Sequence, residues 1–213
     1  TVAKAGHPWQ PEDDMMACPN LRTVQIYVKD LSAFKLKKVA DQLLNDARVD
    51  QVLWRAELNG KVEPGYQIAT SDRGTLHFWA ADRANHHNAD AGRDQRGNRW
   101  QWRGDLRAVD GQRIEDDLIN FPDYPGAFER IAGALTCKNG GQIWATARPG
   151  HEFYVPGMTV HAGGGSHASL HVADSTAPLL LSGAPDGISL PSHPHITDVA
   201  PLCLSILGLQ PGD

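Results

Sequence analysis

The chain contains few cysteines, no long apolar segment and no large excess of charge. Its 213 residues include only Cys18, Cys137 and Cys203, which are too few and too widely spaced for a disulfide framework or a Cys-x-x-Cys zinc module. An odd number of cysteines is more typical of a reducing compartment, which mildly favours a cytoplasmic location. No apolar run reaches the ~20 residues that cross a bilayer, so no membrane span is expected. Residues 1–7 lack the apolar region of a signal peptide.

The charge balance excludes a general attraction to polyanions. With 20 Lys and Arg against 25 Asp and Glu, the formal net charge is −5, which provides no broad attraction to nucleic acid or to an anionic membrane. The hydrophobic content of 41% is sufficient for a folded core. The length fits one large domain or two small ones.

The first part of the chain predicts a small α+β subdomain. Residues 1–20 contain three prolines and an acidic cluster, and they predict an irregular lead-in. Alternating apolar residues predict a strand over 22–28, and helical apolar spacing predicts a helix over 31–47 that Ser32 caps. Two further strands flank residues 71–74, which form a hairpin turn with glycine at its last position. The subdomain predicted from this pattern covers 21–120.

Within that subdomain, residues 81–120 are polar, rich in glycine and short of apolar runs, which predicts an exposed insertion or boundary. Trp100 and Trp102 lie among five arginines there. Because arginine pairs with phosphate and tryptophan stacks on bases, one interpretation is a nucleotide-contacting surface. Interleaved aspartates favour the other interpretation, a solvated loop with internal ion pairs. The five arginines are Arg93, Arg96, Arg99, Arg103 and Arg107.

The last part of the chain predicts α/β organisation. The pattern indicates a helix over 125–135, a strand over 143–147, a long loop, a buried strand over 179–181 and a final helix capped by Thr197. Cys203 is expected to face the core from that helix. Strands that alternate with helices are typical of the α/β class.

The long loop contains Gly163-Gly164-Gly165-Ser166-His167, a glycine-rich segment that presents a histidine. Imidazole nitrogen is a good zinc ligand, but a catalytic zinc site takes three or more protein ligands. One loop therefore supplies only part of such a site.

The order of motifs over residues 139–211 resembles a known family. The glycine and histidine loop is followed by Ala173-Asp174-Ser175, by the Pro178-Leu179-Leu180-Leu181 run, and by Ile196-Thr197-Asp198-Val199-Ala200-Pro201 at the start of the last helix. This order resembles the C-terminal end of the alkaline phosphatase superfamily, and most closely its type I phosphodiesterase/nucleotide pyrophosphatase branch. The resemblance covers about the last third of the chain.

The resemblance implies a fold and a mechanism. Residues 121–213 would be the C-terminal part of the catalytic domain, in an alkaline-phosphatase-like α/β/α sandwich, with 21–120 as an inserted α+β cap. The family hydrolyses phosphoester or nucleotide substrates with two divalent metal ions, usually zinc, and a Thr or Ser nucleophile that is transiently phosphorylated. By resemblance, His167 is the ligand that completes the first metal site. Ala168 departs from the usual glycine, and it would be strained if that position needs a positive φ.

The other histidines are not expected to be metal ligands. His161 and His171 are expected to support the ligand or to lie at the surface. His193 and His195 fit a solvated loop, and the adjacent pair at 86–87 would make a poor chelate because neighbouring side chains diverge.

The family also uses an upstream aspartate, a nucleophile, an Asp-x-x-x-His pair and an Asp-His-Gly segment. No Asp-His-Gly segment occurs here. The turn at 71–74 imitates one, but it has Arg73 in the ligand position, and a protonated guanidinium cannot bind a metal. The chain is therefore expected to be an inactive fragment that needs the N-terminal half of the same protein or a companion chain. An incomplete sheet would also promote self-association.

Two alternatives stay open. Sulfatases, phosphonate hydrolases and phosphoglycerate mutases of the same superfamily share the closing helix and the last histidine, and only the nucleophile segment separates them. Outside enzymes, the chain fits a binding module that has lost catalysis.

Overall fold

The structure, a computed structural model, describes residues 8–59, 64–81, 88–115, 117–158, 161 and 163–209. Two compact units divide the chain, with the first ending at Thr176 and the second starting at Ala177. The first unit has mixed α/β structure around one large sheet.

Eight strands form that sheet, in the spatial order β1-β2-β10-β3-β4-β5-β7-β6, and every pair is antiparallel. A separate two-stranded sheet pairs β8 with β9. The strands are β1 (Met15–Asn20), β2 (Thr23–Val28), β3 (Val49–Arg55), β4 (Tyr66–Ala69), β5 (Thr75–Ala80), β6 (Asp90–Arg93), β7 (Arg99–Gly104), β8 (Gln112–Arg113), β9 (Ile119–Asn120) and β10 (Ile143–Ala147).

Helices are short and few. The α-helices are α1 (Ala33–Leu44), α2 (Ala127–Leu135), α3 (Val172–Ser175) and α4 (Val199–Ile206), and 3-10 turns cover Ala56–Asn59, Leu106–Val109 and Ile196–Asp198. The Ser32 side chain accepts a hydrogen bond from the Lys35 amide, as its predicted capping position requires.

Two hydrophobic clusters, one containing residues of α1 and the other residues of α2, stabilise the first unit. Leu36 of α1 belongs to the same cluster as Val24, Ile26 and Val52 of the sheet. Phe128 of α2 lies in the other cluster, where it stacks on Phe78 with ring centroids 4.2 Å apart and also contacts Trp100, Trp102 and Phe121.

Three sequence expectations are corrected in this unit. Residues 15–20 are not part of an irregular lead-in but form β1 at an edge of the sheet, the position in which Pro19 is tolerated. The polar segment 81–120 contributes β6 and β7, because Trp100 and Trp102 alternate with polar residues that face the other way. Finally, β10 pairs with β2 and β3 in antiparallel fashion, whereas α/β alternation predicts parallel strands.

The domain boundary predicted after residue 120 lies in the first unit. Ile119 and Phe121, on either side of that position, belong to the same hydrophobic cluster.

The second unit has little regular structure among its described residues, 177–209. The strand predicted over 179–181 is absent there, and Leu180 is 89% exposed. Cys203 is exposed on α4 rather than in a core, and Thr197 lies inside a 3-10 turn instead of capping the helix. The helix is followed by Gly208 with φ +70°, the conformation expected of a glycine that ends a helix.

None of the helices in the described ranges has the length and apolar character needed to cross a bilayer.

Candidate functional site

The loop that carries His167 lies against the start of β2. The backbone amide of Arg22 donates to the His167 carbonyl at 3.3 Å, and the Thr23 hydroxyl donates to the carbonyl of Ala168. The His167 side chain itself is exposed. The backbone of this histidine is therefore attached to the sheet while its imidazole is accessible to solvent.

Ala168 has φ +84°, which is the left-handed region that favours glycine. The position therefore has the conformation that would strain an alanine. Such a residue persists only where the surrounding contacts determine its conformation.

A buried ion pair joins the loop to the sheet a second time. The Arg22 guanidinium contacts Asp174 Oδ1, and the two side chains are 5% and 3% exposed. Arg22 also donates to the Ala147 carbonyl at 3.2 Å, and the Ser169 hydroxyl donates to Asp174 Oδ2. Both carboxylate oxygens of Asp174 thus have hydrogen-bond donors, as a buried charge requires.

Arg130 of α2 holds the other side of the loop. Its guanidinium donates to the Leu170 carbonyl at 2.9 Å, the Ser169 carbonyl at 3.2 Å and the Ser175 hydroxyl at 2.8 Å. Burial lowers the pKa of Arg130, and the nearby Asp174 carboxylate opposes that effect. An arginine remains charged in either case, so a second, half-buried cation orders this segment.

A second polar cluster lies near the same end of the sheet. The pairing register of β10 with β3 changes between Thr146 and Ala147. This change leaves Asp50 as the extra residue of a β-bulge in β3. Its carboxylate accepts from the Tyr124 hydroxyl at 2.8 Å and from the Arg73 guanidinium at 2.7 Å. Burial, together with the Asp50 charge, raises the pKa of Tyr124 well above its usual value.

The turn at 71–74 therefore has structural contacts rather than metal-binding ones. Arg73 pairs with Asp50, Asp72 pairs with Arg148 at 2.8 Å, and Gly74 has φ +85° in the β4–β5 hairpin. The hydrogen bond from Arg148 lowers the pKa of Asp72.

His161 and His171, the two histidines that flank His167 in the sequence, have local contacts. His171 accepts a hydrogen bond from the Ala173 amide at 3.2 Å and lies edge-on to the Tyr124 ring at 5.6 Å between centroids. His161 Nδ1 lies 3.7 Å from Glu152 Oε1. The Ser166 hydroxyl also donates to Glu152, and this bond lowers the pKa of that carboxyl.

In the second unit, the His193 side chain is exposed and the His195 amide donates to Asp198 at 2.8 Å. The pair at 86–87 lies outside the described residues, as does Asp82, which stands four positions before His86 in an Asp-x-x-x-His spacing. Over the part of the chain that is described, no three His, Cys, Asp or Glu side chains come together as a metal site.

The arginine-rich segment is mainly structural. Trp100 and Trp102 are 6% and 1% exposed, so neither ring is available to a base. Arg93 pairs with Asp117 at 2.8 Å, and Arg107 pairs with Asp105 at 2.5 Å. These contacts favour the interpretation with internal ion pairs.

Sequence reasoning missed the buried groups that hold the loop. Arg22 and Asp174 are 152 positions apart, and no local pattern connects residues at that distance.

No family model, curated protein or solved structure gives a significant match to this chain.

Proposed function

We propose that the chain is the C-terminal portion of a phosphodiesterase/nucleotide pyrophosphatase-like hydrolase, in which His167 is one metal ligand. The observation that carries the proposal is the contrast between the exposed imidazole of His167 and its firmly attached backbone. A metal ligand must be accessible and must also be held in one orientation. The strained φ of Ala168, at the position where the family has glycine, supports the same assignment.

The described residues do not fit a metal pair by themselves. They supply one candidate imidazole and no cluster of three possible ligands, whereas a catalytic zinc takes at least three protein ligands. We therefore assign the nucleophile and the remaining ligands to the N-terminal half of the same protein or to a companion chain, and derive no reaction step from this chain alone.

The apolar run at 179–181 supports the incomplete α/β/α sandwich. Leu179, Leu180 and Leu181 are exposed at 37%, 89% and 39%, although three consecutive leucines are typical of a parallel strand that is covered on both faces. In the proposal, strands and helices outside this chain cover them.

Replacement of His167 in the full-length gene product tests the assignment. We expect His167→Ala to lower hydrolysis of bis-p-nitrophenyl phosphate by about 100-fold or more, because even the partners that orient a ligand typically contribute 10–100-fold. His161→Ala is the matched control, and it should retain most of the activity. Near-normal turnover by His167→Ala would contradict the proposal.

Two further assays define the class of enzyme. The 213-residue chain alone should not hydrolyse the diester, and turnover by the pure chain would contradict its incompleteness. Faster cleavage of p-nitrophenyl sulfate than of the phosphodiester by the full-length product would instead identify a sulfatase of the same superfamily.

A further inference from the structure

We propose that Asp174 is a positioning residue which, through Arg22 and Ser169, fixes the loop backbone beside His167. The inference rests on the proposed function for its consequence at the metal, but the positioning itself concerns only this chain. It would connect the cap-like sheet, through β2, to the orientation of the catalytic loop.

Arg22 contacts the loop at two separate points. Its backbone amide donates to the His167 carbonyl, and its guanidinium pairs with Asp174, seven positions further along the loop. A single residue, which directly precedes β2, thus closes the segment between them. The guanidinium is itself held by the Ala147 carbonyl of β10 at 3.2 Å.

Asp174 also accepts a hydrogen bond from another residue of the loop. Its Oδ2 accepts from the Ser169 hydroxyl, and Ser169 in turn accepts from the His171 amide at 3.1 Å. Ser169 is 4% exposed and follows the strained Ala168 directly. The carboxylate therefore holds the residue that comes after the left-handed turn, on the C-terminal side of His167.

Other contacts, which do not involve the Asp174 carboxylate, attach the loop to the rest of the first unit. Arg130 binds the carbonyls of Ser169 and Leu170 independently of Asp174, and the Val172 amide donates to the Asp123 carbonyl at 2.7 Å. These contacts keep the loop on the first unit when Asp174 is replaced. Loss of the carboxylate is therefore expected to loosen the backbone around His167 rather than to release the whole loop.

Hydrogen–deuterium exchange of the 213-residue chain tests the positioning. In Asp174→Asn, we expect the amides of Arg22 and His171, whose acceptors are the His167 carbonyl and the Ser169 hydroxyl, to exchange about tenfold faster or more, while α2 and β3 keep the protection of the wild type. Asp50→Asn is the matched control, since it breaks another buried carboxylate–arginine pair and should leave exchange at these two amides unchanged. Equal exchange in wild type and Asp174→Asn, or a uniform increase over the whole first unit, would overturn the inference.

A variant with a smaller change keeps the inference testable if Asp174→Asn does not fold. Ser169→Ala removes one of the two contacts to Asp174 and should give a smaller increase in exchange at the Arg22 amide. Arg22→Lys should resemble Asp174→Asn, because an ammonium cannot reproduce the forked contacts to Asp174 and to Ala147. Wild-type exchange in both variants would also overturn the inference.

Zinc affinity of the full-length product distinguishes the two proposals. Weaker zinc binding in Asp174→Asn, with wild-type binding in Asp50→Asn, supports positioning of a ligand. If zinc binding is unchanged in both Asp174→Asn and His167→Ala while exchange at the Arg22 and His171 amides is faster in Asp174→Asn, the metal assignment fails and the positioning of the loop stands.

Discussion

The first unit and the second unit differ in how far their apolar side chains are buried. Up to Thr176, large side chains such as Trp102, Phe78 and Phe128 are almost fully buried in one hydrophobic cluster. Among the described residues from Ala177 onward, none is buried, although leucines and isoleucines are frequent there. Large contiguous apolar patches on a protein surface mark interaction sites, so the exposed leucines of the second unit agree with the proposal that partners outside this chain cover them. Four substitutions test this difference between the two units.

The largest effect is expected in the aromatic cluster. Phe128→Ala should lower the free energy of unfolding by about 3–5 kcal/mol, because it leaves a cavity among four aromatic rings. Phe34→Ala is the matched control on an exposed face of α1, where the ring is 77% exposed, and it should change stability by about 0.5 kcal/mol or less. Urea unfolding measures both. Similar losses in the two variants would break the distinction between buried and exposed aromatic residues.

A smaller effect is expected at the buried tyrosine. Tyr124→Phe should cost about 1–3 kcal/mol at neutral pH, because the Asp50 carboxylate loses a buried hydrogen-bond donor. Tyr154→Phe is the control on a 58% exposed ring, and it should have little effect.

The pH dependence of this loss gives a separate test. Since the pKa of Tyr124 is raised in the folded state, its contribution to stability is complete below the unfolded value of about 10 and is lost as the pH rises through the folded value. The wild type should therefore lose stability above about pH 10, and its advantage over Tyr124→Phe should shrink there. A constant difference from pH 8 to pH 11 would show that Tyr124 does not titrate as described.

Replacement of the strained Ala168 should raise the stability of the protein, whereas the substitutions above lower it. Ala168→Gly is expected to stabilise the protein by about 1 kcal/mol, since glycine adopts a positive φ without a Cβ penalty. Ala173→Gly, in the short helix α3, should instead destabilise it by about 0.5–1 kcal/mol. Thermal unfolding of the two variants should give melting temperatures that move in opposite directions. A lower melting temperature for Ala168→Gly would contradict the strain.

The smallest effect on stability is expected in the second unit. Leu180→Ser should change the free energy of unfolding by about 0.5 kcal/mol or less, because the side chain is 89% exposed. The same substitution should weaken any self-association seen by sedimentation velocity, since it removes apolar surface from the exposed run. Leu76→Ser is the buried control, with a side chain that is 0% exposed, and it should be strongly destabilising. A large loss of stability in Leu180→Ser would mean that the run is packed after all.

The features that the sequence predicts well are those with local causes. The helix α1 follows from the Ser32 cap and its apolar spacing, and the β4–β5 turn follows from Gly74. Edge strands such as β1 were missed because their stability depends on a neighbour, here β2. The strand predicted over 179–181 is wrong for the described chain, because three consecutive leucines indicate a strand by composition alone and this run has no partner strand among the described residues.

The candidate site divides in the same way. The glycine-rich loop and His167 are visible in the sequence because glycine, serine and histidine follow each other directly. The charged groups that hold the loop lie far apart in the sequence: Arg22 directly precedes β2, Asp174 belongs to α3 and Arg130 belongs to α2. Only the folded chain brings these charges together, so their role could not be predicted from local patterns.

The zinc content of the full-length gene product decides whether His167 binds a metal. Wild type, His167→Ala and His161→Ala would be saturated with zinc, dialysed extensively and measured by inductively coupled plasma mass spectrometry. We expect His167→Ala to lose about one zinc ion per chain, because a site that lacks one of its three or more protein ligands no longer retains the metal, whereas His161→Ala should keep the wild-type content. Wild-type zinc content in His167→Ala would exclude His167 as a ligand and favour a binding module without this metal site.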